Sequence, residues 1–203
     1  ILIMIFNEEN TVENFIISQL SGINLNDNSS STPNDSIWKY HSPDDLDRES
    51  NDVIAVSDFK RALIRINPTI QENPQLADEV IYKLNAIIQS VDQKGLVRAN
   101  EEFTKWLQGE KSMPFGENNA HIPIRLIDFE NISNNSFVLT NQFKFYHRET
   151  KIPDVVLLIN GIPVVVGEAK TPVRPSVSWL DGAHEIHDIY ENEARQLFVP
   201  NIF

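Results

Sequence analysis

The chain has 203 residues, 41% of them hydrophobic, with 29 acids against 17 bases and a formal net charge of −12. That is enough apolar material for one large domain, while the charge argues against a stand-alone nucleic-acid binder, whose affinity would come from Lys and Arg. Cysteine is absent, which excludes disulfides and thiolate chemistry and fits a cytoplasmic setting. No apolar run is long enough to span a membrane, and the opening run at residues 1–6 lacks the length and basic flank of a signal peptide. The first residue is not Met, so an N-terminal truncation is expected.

Residues 8–20 read as a helix capped by Asn10 or Thr11, with Val12, Phe15, Ile16 and Leu20 in one apolar stripe. Glu9 and Glu13 lie four apart on a neighbouring face, where the helix dipole alone would account for acids in a first turn. Residues 24–52, rich in Asn, Ser and Asp, are expected to form a long surface loop. Residues 53–67 suggest a short strand followed by a helix, capped by Ser57 or Asp58 and stopped by Pro68, with Ala62, Leu63 and Ile66 inward.

Residues 74–91 form a strong amphipathic pattern through Leu76, Val80, Leu84, Ile87, Ile88 and Val91. A further helix over 98–108 turns Phe103, Trp106 and Leu107 inward and stops at Gly109. The period then changes. Residues 122–129 and 136–146 alternate as strands, joined by the polar cluster at 131–135, and after the hairpin below come a helix over 179–192 and a short strand over 197–199. The expectation is an α/β fold with a mixed β-sheet core and extra N-terminal helices. It would be one domain over 1–203, helical to about residue 110 and sheet-bearing from about 111. There is no internal repeat, P-loop or dinucleotide fingerprint.

The most apolar stretch, residues 152–175, carries the chemistry. Two runs, 155–159 and 162–166, are apolar at every position, as expected of strands buried on both faces. Between them stands Asn160-Gly161, the strongest short-range hairpin signal. Pro163 is placed best on an edge or at an irregularity. Folding the hairpin returns Asp154 towards Glu168 and Lys170. Two carboxylates a few ångströms apart repel unless a cation lies between them, and Mg2+ suits oxygen ligands while keeping waters of its own. A nearby lysine can orient a water or stabilise charge developing on a phosphate. E-x-K alone is a common surface tripeptide; Pro153-Asp154, the hairpin and Glu168-Ala169-Lys170 in one unit read as metal-assisted phosphodiester hydrolysis.

That reading imposes a geometric condition. A regular ladder from a strict two-residue turn would set Asp154 opposite Gly167, with Glu168 and Lys170 on the other face. The site therefore requires a one-residue offset: a three-residue loop over 159–161 with Gly161 in a bulge, or a bulge near Pro163 or Gly167. The charge distribution agrees with a site here. Residues 27–58 hold eight acids and two bases, whereas residues 144–174 hold five bases and three acids. His184 and His187 have H-x-x-H spacing but lack a clear third ligand, and are read as a polar helix face.

Leu126-Ile127-Asp128-Phe129-Glu130-Asn131, Asn141-Gln142-Phe143, the hairpin with its motif, and Leu197-Phe198-Val199-Pro200-Asn201 together resemble the N-terminal endonuclease domain of the type I restriction enzyme R subunit. That domain belongs to the PD-(D/E)xK nuclease superfamily. The resemblance implies Mg2+-dependent cleavage of duplex DNA, as by a type I site-specific deoxyribonuclease. Asp154 and Glu168 would be metal ligands and Lys170 the catalytic lysine. An acid of the first helix, Glu13 with Glu9 as the fallback, would complete the site. The family often carries Q-x-x-x-Y on the helix after E-x-K; Tyr190 fits, but Ile186 stands four before it, with Glu185 the next candidate. Tyr190 and Arg174 are the expected DNA-positioning residues. Implied partners are methyltransferase and specificity subunits and ATP-driven translocase domains of the same full-length chain, ATP serving only those domains. The alternative is a nuclease-fold DNA-binding or assembly module without cleavage activity, its motif residues kept as strand-end salt bridges.

Overall fold

The computed structural model describes residues 12–25, 36–170 and 178–202. The elements in chain order are α1 (Asn14–Ser21), β1 (Lys39–Tyr40), α2 (Val56–Ile66), α3 (Pro68–Glu72), α4 (Leu76–Gln89), α5 (Val91–Lys94) and α6 (Leu96–Leu107). Then follow β2 (Ser112–Met113), β3 (Ile122–Pro123), β4 (Phe137–Asn141), β5 (Phe145–Tyr146), β6 (Thr150–Lys151), β7 (Val155–Ile159) and β8 (Ile162–Gly167). The chain continues through α7 (Trp179–His184), a π-helical turn (Glu185–Tyr190), α8 (Glu191–Glu193) and α9 (Arg195–Phe198). One sheet has the order β1-β4-β7-β8. It is mixed, since β1 runs parallel to β4 and β7 and β8 form the hairpin. The α/β expectation holds.

The chain divides into two compact units. The first comprises Ile1–Leu46, Phe137–Leu157 and Val166–Ala194. Its core gathers Ile17 of α1, Leu139 of β4 and Val155 of β7, with Ile16, Leu20, Trp38, Tyr40 and Leu157 packed around them. Burying Ile17 turns Glu13, four residues earlier, inward as well, while Phe15 is exposed. The apolar stripe expected through Phe15 is thus rotated. What draws the helix round is Ile17 on the sheet together with a polar partner for Glu13.

The second unit comprises Asp47–Ser136, Leu158–Val165 and Arg195–Phe203. Buried Phe59 and Leu63 of α2, Leu84 of α4 and Phe103 and Trp106 of α6 form much of its core. The hairpin tip is inside this unit rather than at its surface. Asn160 and Gly161 have φ of 53° and 81°, the left-handed pair of a type I′ turn. Asn160 is fully buried. Its backbone N–H donates to the Ser136 carbonyl (2.9 Å) and its Oδ1 accepts from the Ser136 N–H (2.8 Å). Its Nδ2 donates to the Leu126 carbonyl and to Asn135 Oδ1, both at 2.9 Å. At Gly161 any Cβ would lie 2.6 Å from the Ala55 carbonyl oxygen.

Several expectations need correction. Residues 53–55 form no strand: Ala55 donates to the Gly161 carbonyl (2.9 Å) and precedes α2 as its cap residue. Residues 24–52 contain β1, a strand too short for any periodicity to announce. The strand expected over 122–129 shrinks to β3, because side chains take the backbone groups that follow: Asn67 bonds both the Arg125 N–H and its carbonyl, and Asn160 Nδ2 donates to the Leu126 carbonyl. The strand expected over 136–146 breaks at Gln142, whose φ is 47°. Residues 197 and 198 lie in α9 instead of a strand, the ambiguity that short apolar runs carry. Pro163 does sit on an edge strand. Among the described residues no helix is long and apolar enough to cross a membrane.

Because the buried Asn160 side chain makes three hydrogen bonds, with the Ser136 N–H, the Leu126 carbonyl and Asn135 Oδ1, and its backbone is left-handed, Asn160→Ala should destabilise the protein by about 2–4 kcal/mol. Chemical denaturation checks this, and a loss below about 0.5 kcal/mol would refute the role assigned to the side chain.

Candidate active site

The open end of the hairpin collects the predicted residues. Asp154 precedes β7, and Glu168, Ala169 and Lys170 follow β8. The Ala169 N–H donates to Asp154 Oδ2 at 2.7 Å, fixing one acid against the strand that carries the other. The hairpin closes through two residues, so the expected three-residue loop is not used. The offset is at the other end. A Cβ on Gly167 would lie 3.8 Å from that of Val155 and 3.5 Å from its carbonyl oxygen. Gly167 therefore shares the face of Val155. In an unbroken ladder from this turn Val166 would oppose Val155, and Gly167 would face away. The irregularity near Gly167 was one of the two bulge positions expected, and it brings Asp154 and Glu168 together.

Glu13 joins them through Gln142, a residue of the Asn141-Gln142-Phe143 stretch. Gln142 Nε2 donates to Glu13 Oε2 (2.9 Å) and to Asp154 Oδ1 (3.3 Å). The Gln142 backbone N–H also donates to the Asp154 carbonyl (3.1 Å). A positive φ on a side chain of this size is strained, and such strain clusters at functional sites. No spacing rule would have found Gln142; its signal is backbone conformation. Glu9 and Arg174 lie outside the described residues.

On the far side, the Lys170 ammonium donates to Glu168 Oε1 and pairs with Glu185 Oε2, each at 2.8 Å. The Tyr190 hydroxyl approaches Glu168 Oε2 (3.4 Å) and Glu185 Oε1 (3.5 Å). Residues 185 and 190 are five apart. They share a face because this turn is π-helical, with the Glu191 N–H bonded back to the Ile186 carbonyl. The departure from Q-x-x-x-Y is thereby absorbed: Glu185, rather than Ile186, meets Tyr190 beside Lys170. Tyr190 is held by Lys151, whose ammonium lies 5.9 Å from its ring centre and also pairs with Glu193. Helix α7 fits closely because residue 182 is glycine; a Cβ there would lie 3.3 Å from Lys170 Cγ. His184 and His187 pair with Asp188 and Glu191 on an exposed helix face, as expected of a polar surface.

The electrostatics follow from burial. Glu168 is pushed up to about 7 by desolvation, with the Lys170 hydrogen bond opposing and the charges of Asp154 and Glu185 adding to the rise. Asp154 is also raised, again by burial, against the Ala169 N–H, Lys170, Glu168 and Gln142. Burial works against the Lys170 ammonium too, but its bonds to Glu168 and Glu185 outweigh it and hold its pKa well above the ordinary lysine value. The Tyr190 hydroxyl is raised by burial and by the neighbouring acids. Four carboxylates, those of Glu13, Asp154, Glu168 and Glu185, thus converge around one ammonium and one amide. That donor set is short of positive charge and made of hard oxygens, which fits a divalent cation. Among the described residues no three His, Cys, Asp or Glu side chains converge tightly enough to cage an ion, so Asp154 and Glu168 would share it with water.

Fold and site define a mixed α/β domain of nuclease type, with paired acids and a lysine at the open end of a hairpin. The chain belongs to the family described as the type I restriction enzyme R protein N terminus, which matches residues 5–203. Over 153 residues, 73% of this chain, it is 31% identical to the type I restriction enzyme HindI endonuclease subunit of Haemophilus influenzae. Over 176 residues, 82% of the chain, it is 30% identical to the putative type I restriction enzyme MjaIXP endonuclease subunit of Methanocaldococcus jannaschii. These matches span 14% and 15% of the two relatives, so the chain corresponds to a small part of their length. No solved structure matches.

The Glu168 shift predicts a pH dependence. In the unfolded chain Glu168 ionises near 4.5, whereas in the fold it keeps its proton to about 7. Folding therefore takes up a proton between those values, and metal-free stability falls as pH rises through them. Glu168→Gln should raise the metal-free unfolding midpoint by about 3 °C at pH 8, a gain that fades to nothing by about pH 4. A gain of equal size at both pH values in a thermal melt would contradict the assignment.

Proposed function

We propose that this chain is the Mg2+-dependent DNA endonuclease domain of a type I restriction-modification R subunit, hydrolysing phosphodiester bonds in duplex DNA. The observation that carries this reading is the convergence of Asp154, Glu168 and Lys170 at the open end of the hairpin, with Lys170 on Glu168 and Asp154 tied to the Ala169 amide. Asp154 and Glu168 would hold the ion, which when bound supplies Lewis acidity to a phosphate oxygen and lowers the pKa of water. Lys170, beside Glu168, would orient the attacking water and offset charge gathering on the phosphate. Glu13, reached through Gln142, would complete the acidic wall around the water. Tyr190, its hydroxyl held among acids, would present a fixed donor towards the DNA backbone, and Arg174 a phosphate contact.

The remaining roles follow from charge and family membership. With a net charge of −12, this domain would rely on other parts of the enzyme to deliver the DNA. Methyltransferase and specificity subunits, and ATP-driven translocase domains of the same chain, would supply recognition and movement. Relatives about seven times longer than the matched region are in keeping with that division.

Asp154→Ala, Glu168→Ala and Lys170→Ala should each lower DNA cleavage by the assembled enzyme at least about a hundredfold, with the domain still folded. Plasmid cleavage at ordinary Mg2+ concentrations is the readout; retained cleavage in all three variants would sink the catalytic reading. The isolated chain should bind duplex DNA weakly and more weakly still as salt rises. Tight binding at physiological salt, measured by fluorescence anisotropy, would show that affinity resides here after all.

A further inference from the structure

Lys170 is asked to do two things that conflict. Its ammonium holds Glu168 Oε1 at 2.8 Å, yet an ion shared by Asp154 and Glu168 would sit on that same carboxylate, where the two positive charges repel. The second carboxylate on the ammonium, Glu185 Oε2 at 2.8 Å, resolves the conflict. Glu185 opens a turn that is π-wound over Glu185–Tyr190, which brings residues 185 and 190 onto one face beside Lys170. Gly182, one turn earlier, lets this helix come close enough for the contact.

We propose that Glu185 is a positioning residue that anchors Lys170 when Glu168 turns to a divalent cation. The proposal rests on the nuclease reading of the site. With Glu185 present, Lys170 yields Glu168 to the ion and stays beside it, held from the helix side. Without Glu185, the ammonium has Glu168 as its remaining partner among these acids, and it competes with the ion for that carboxylate. Tyr190 cannot substitute, since a hydroxyl offers no charge to hold an ammonium. Glu185 acts through Lys170 and is not itself a ligand of the ion.

The test is a double-variant cycle read by calorimetric titration with Mn2+ alone, at constant pH, on the purified protein. Glu185→Gln keeps size and hydrogen bonding while removing the charge. It should weaken Mn2+ binding about fivefold or more when Lys170 is present. On a Lys170→Met background, where no ammonium competes, the same substitution should weaken binding less than about twofold. Unfolding midpoints of all variants, taken without metal, establish that each is folded before it is titrated. A Glu185→Gln effect that is absent, or no larger with Lys170 than with Met in its place, overturns the proposal. Wild-type protein that fails to bind Mn2+, or binds it unchanged after Asp154→Ala, overturns the nuclease reading and this proposal with it. Wild-type binding that Asp154→Ala removes but Glu185→Gln leaves alone overturns this proposal only.

Discussion

Desolvated like charge is the constraint around which the candidate site is built. Glu13 and Glu168 are almost inaccessible to water, and Asp154 is close enough to Glu168 to raise its pKa. Taking carboxylates out of water costs several kcal/mol each unless partners offset it. The partners in this structure are graded. Lys170 supplies a full charge to Glu168 and Glu185, the Ala169 amide a fixed dipole to Asp154, and Gln142 one Nε2 shared by Glu13 and Asp154. Asp154 and Glu168 stay above their ordinary pKa despite all of this. The compensation is incomplete, and a divalent cation is what would complete it.

Each partner depends on a local departure from regular structure. Gln142 reaches two acids because β4 ends in a left-handed residue. Glu168 shares a side with Asp154 because the ladder is offset at Gly167. Glu185 and Tyr190 share a face because the helix is π-wound there. Positive φ on a large side chain, an offset ladder and a π-turn each cost free energy that regular elements avoid. Their coincidence around one group of acids is the pattern expected where side-chain placement, rather than backbone regularity, has been favoured.

This explains which parts were legible in advance. Asp154, Glu168 and Lys170 were readable because they flank an Asn-Gly turn between two apolar runs, and that pair does form the hairpin turn, though as two residues rather than the three-residue loop. The long amphipathic helices were readable because their buried faces repeat every turn, as in Val80, Leu84, Ile87 and Ile88. Glu13 was found as an acid on the first helix, but the same reading put Phe15 in the core and missed that burying Ile17 sets the helix rotation. Gln142 gave no such signal, and Glu185 was reached only as the next candidate for the family's Q-x-x-x-Y element. One depends on a single backbone angle and the other on a helix whose bonded residues are five apart. Period arguments assume regular winding and fail where it changes. Two-residue strands such as β1 and β2 are too short to show any period.

Strand-end salt bridges are the competing account of these residues, and energetics weighs against it. An exposed ion pair stabilises by about 0–1 kcal/mol. Such pairs do occur in this chain, as between Lys94 and Glu102 or Arg125 and Glu130, each between partly exposed side chains. The Lys170 cluster differs in kind. Lys170 and Glu168 are largely withdrawn from solvent, with Glu185 at the rim, acids outnumber the ammonium, and replacing a buried ionic group by well-packed apolar residues is often neutral or stabilising. A chain selected only for strand solubility would have little use for Glu13 buried at the mouth of a sheet, or for a strained Gln142 to satisfy it. The arrangement makes physical sense if the acids are kept for a cation and the lysine for the charge that the reaction places beside it.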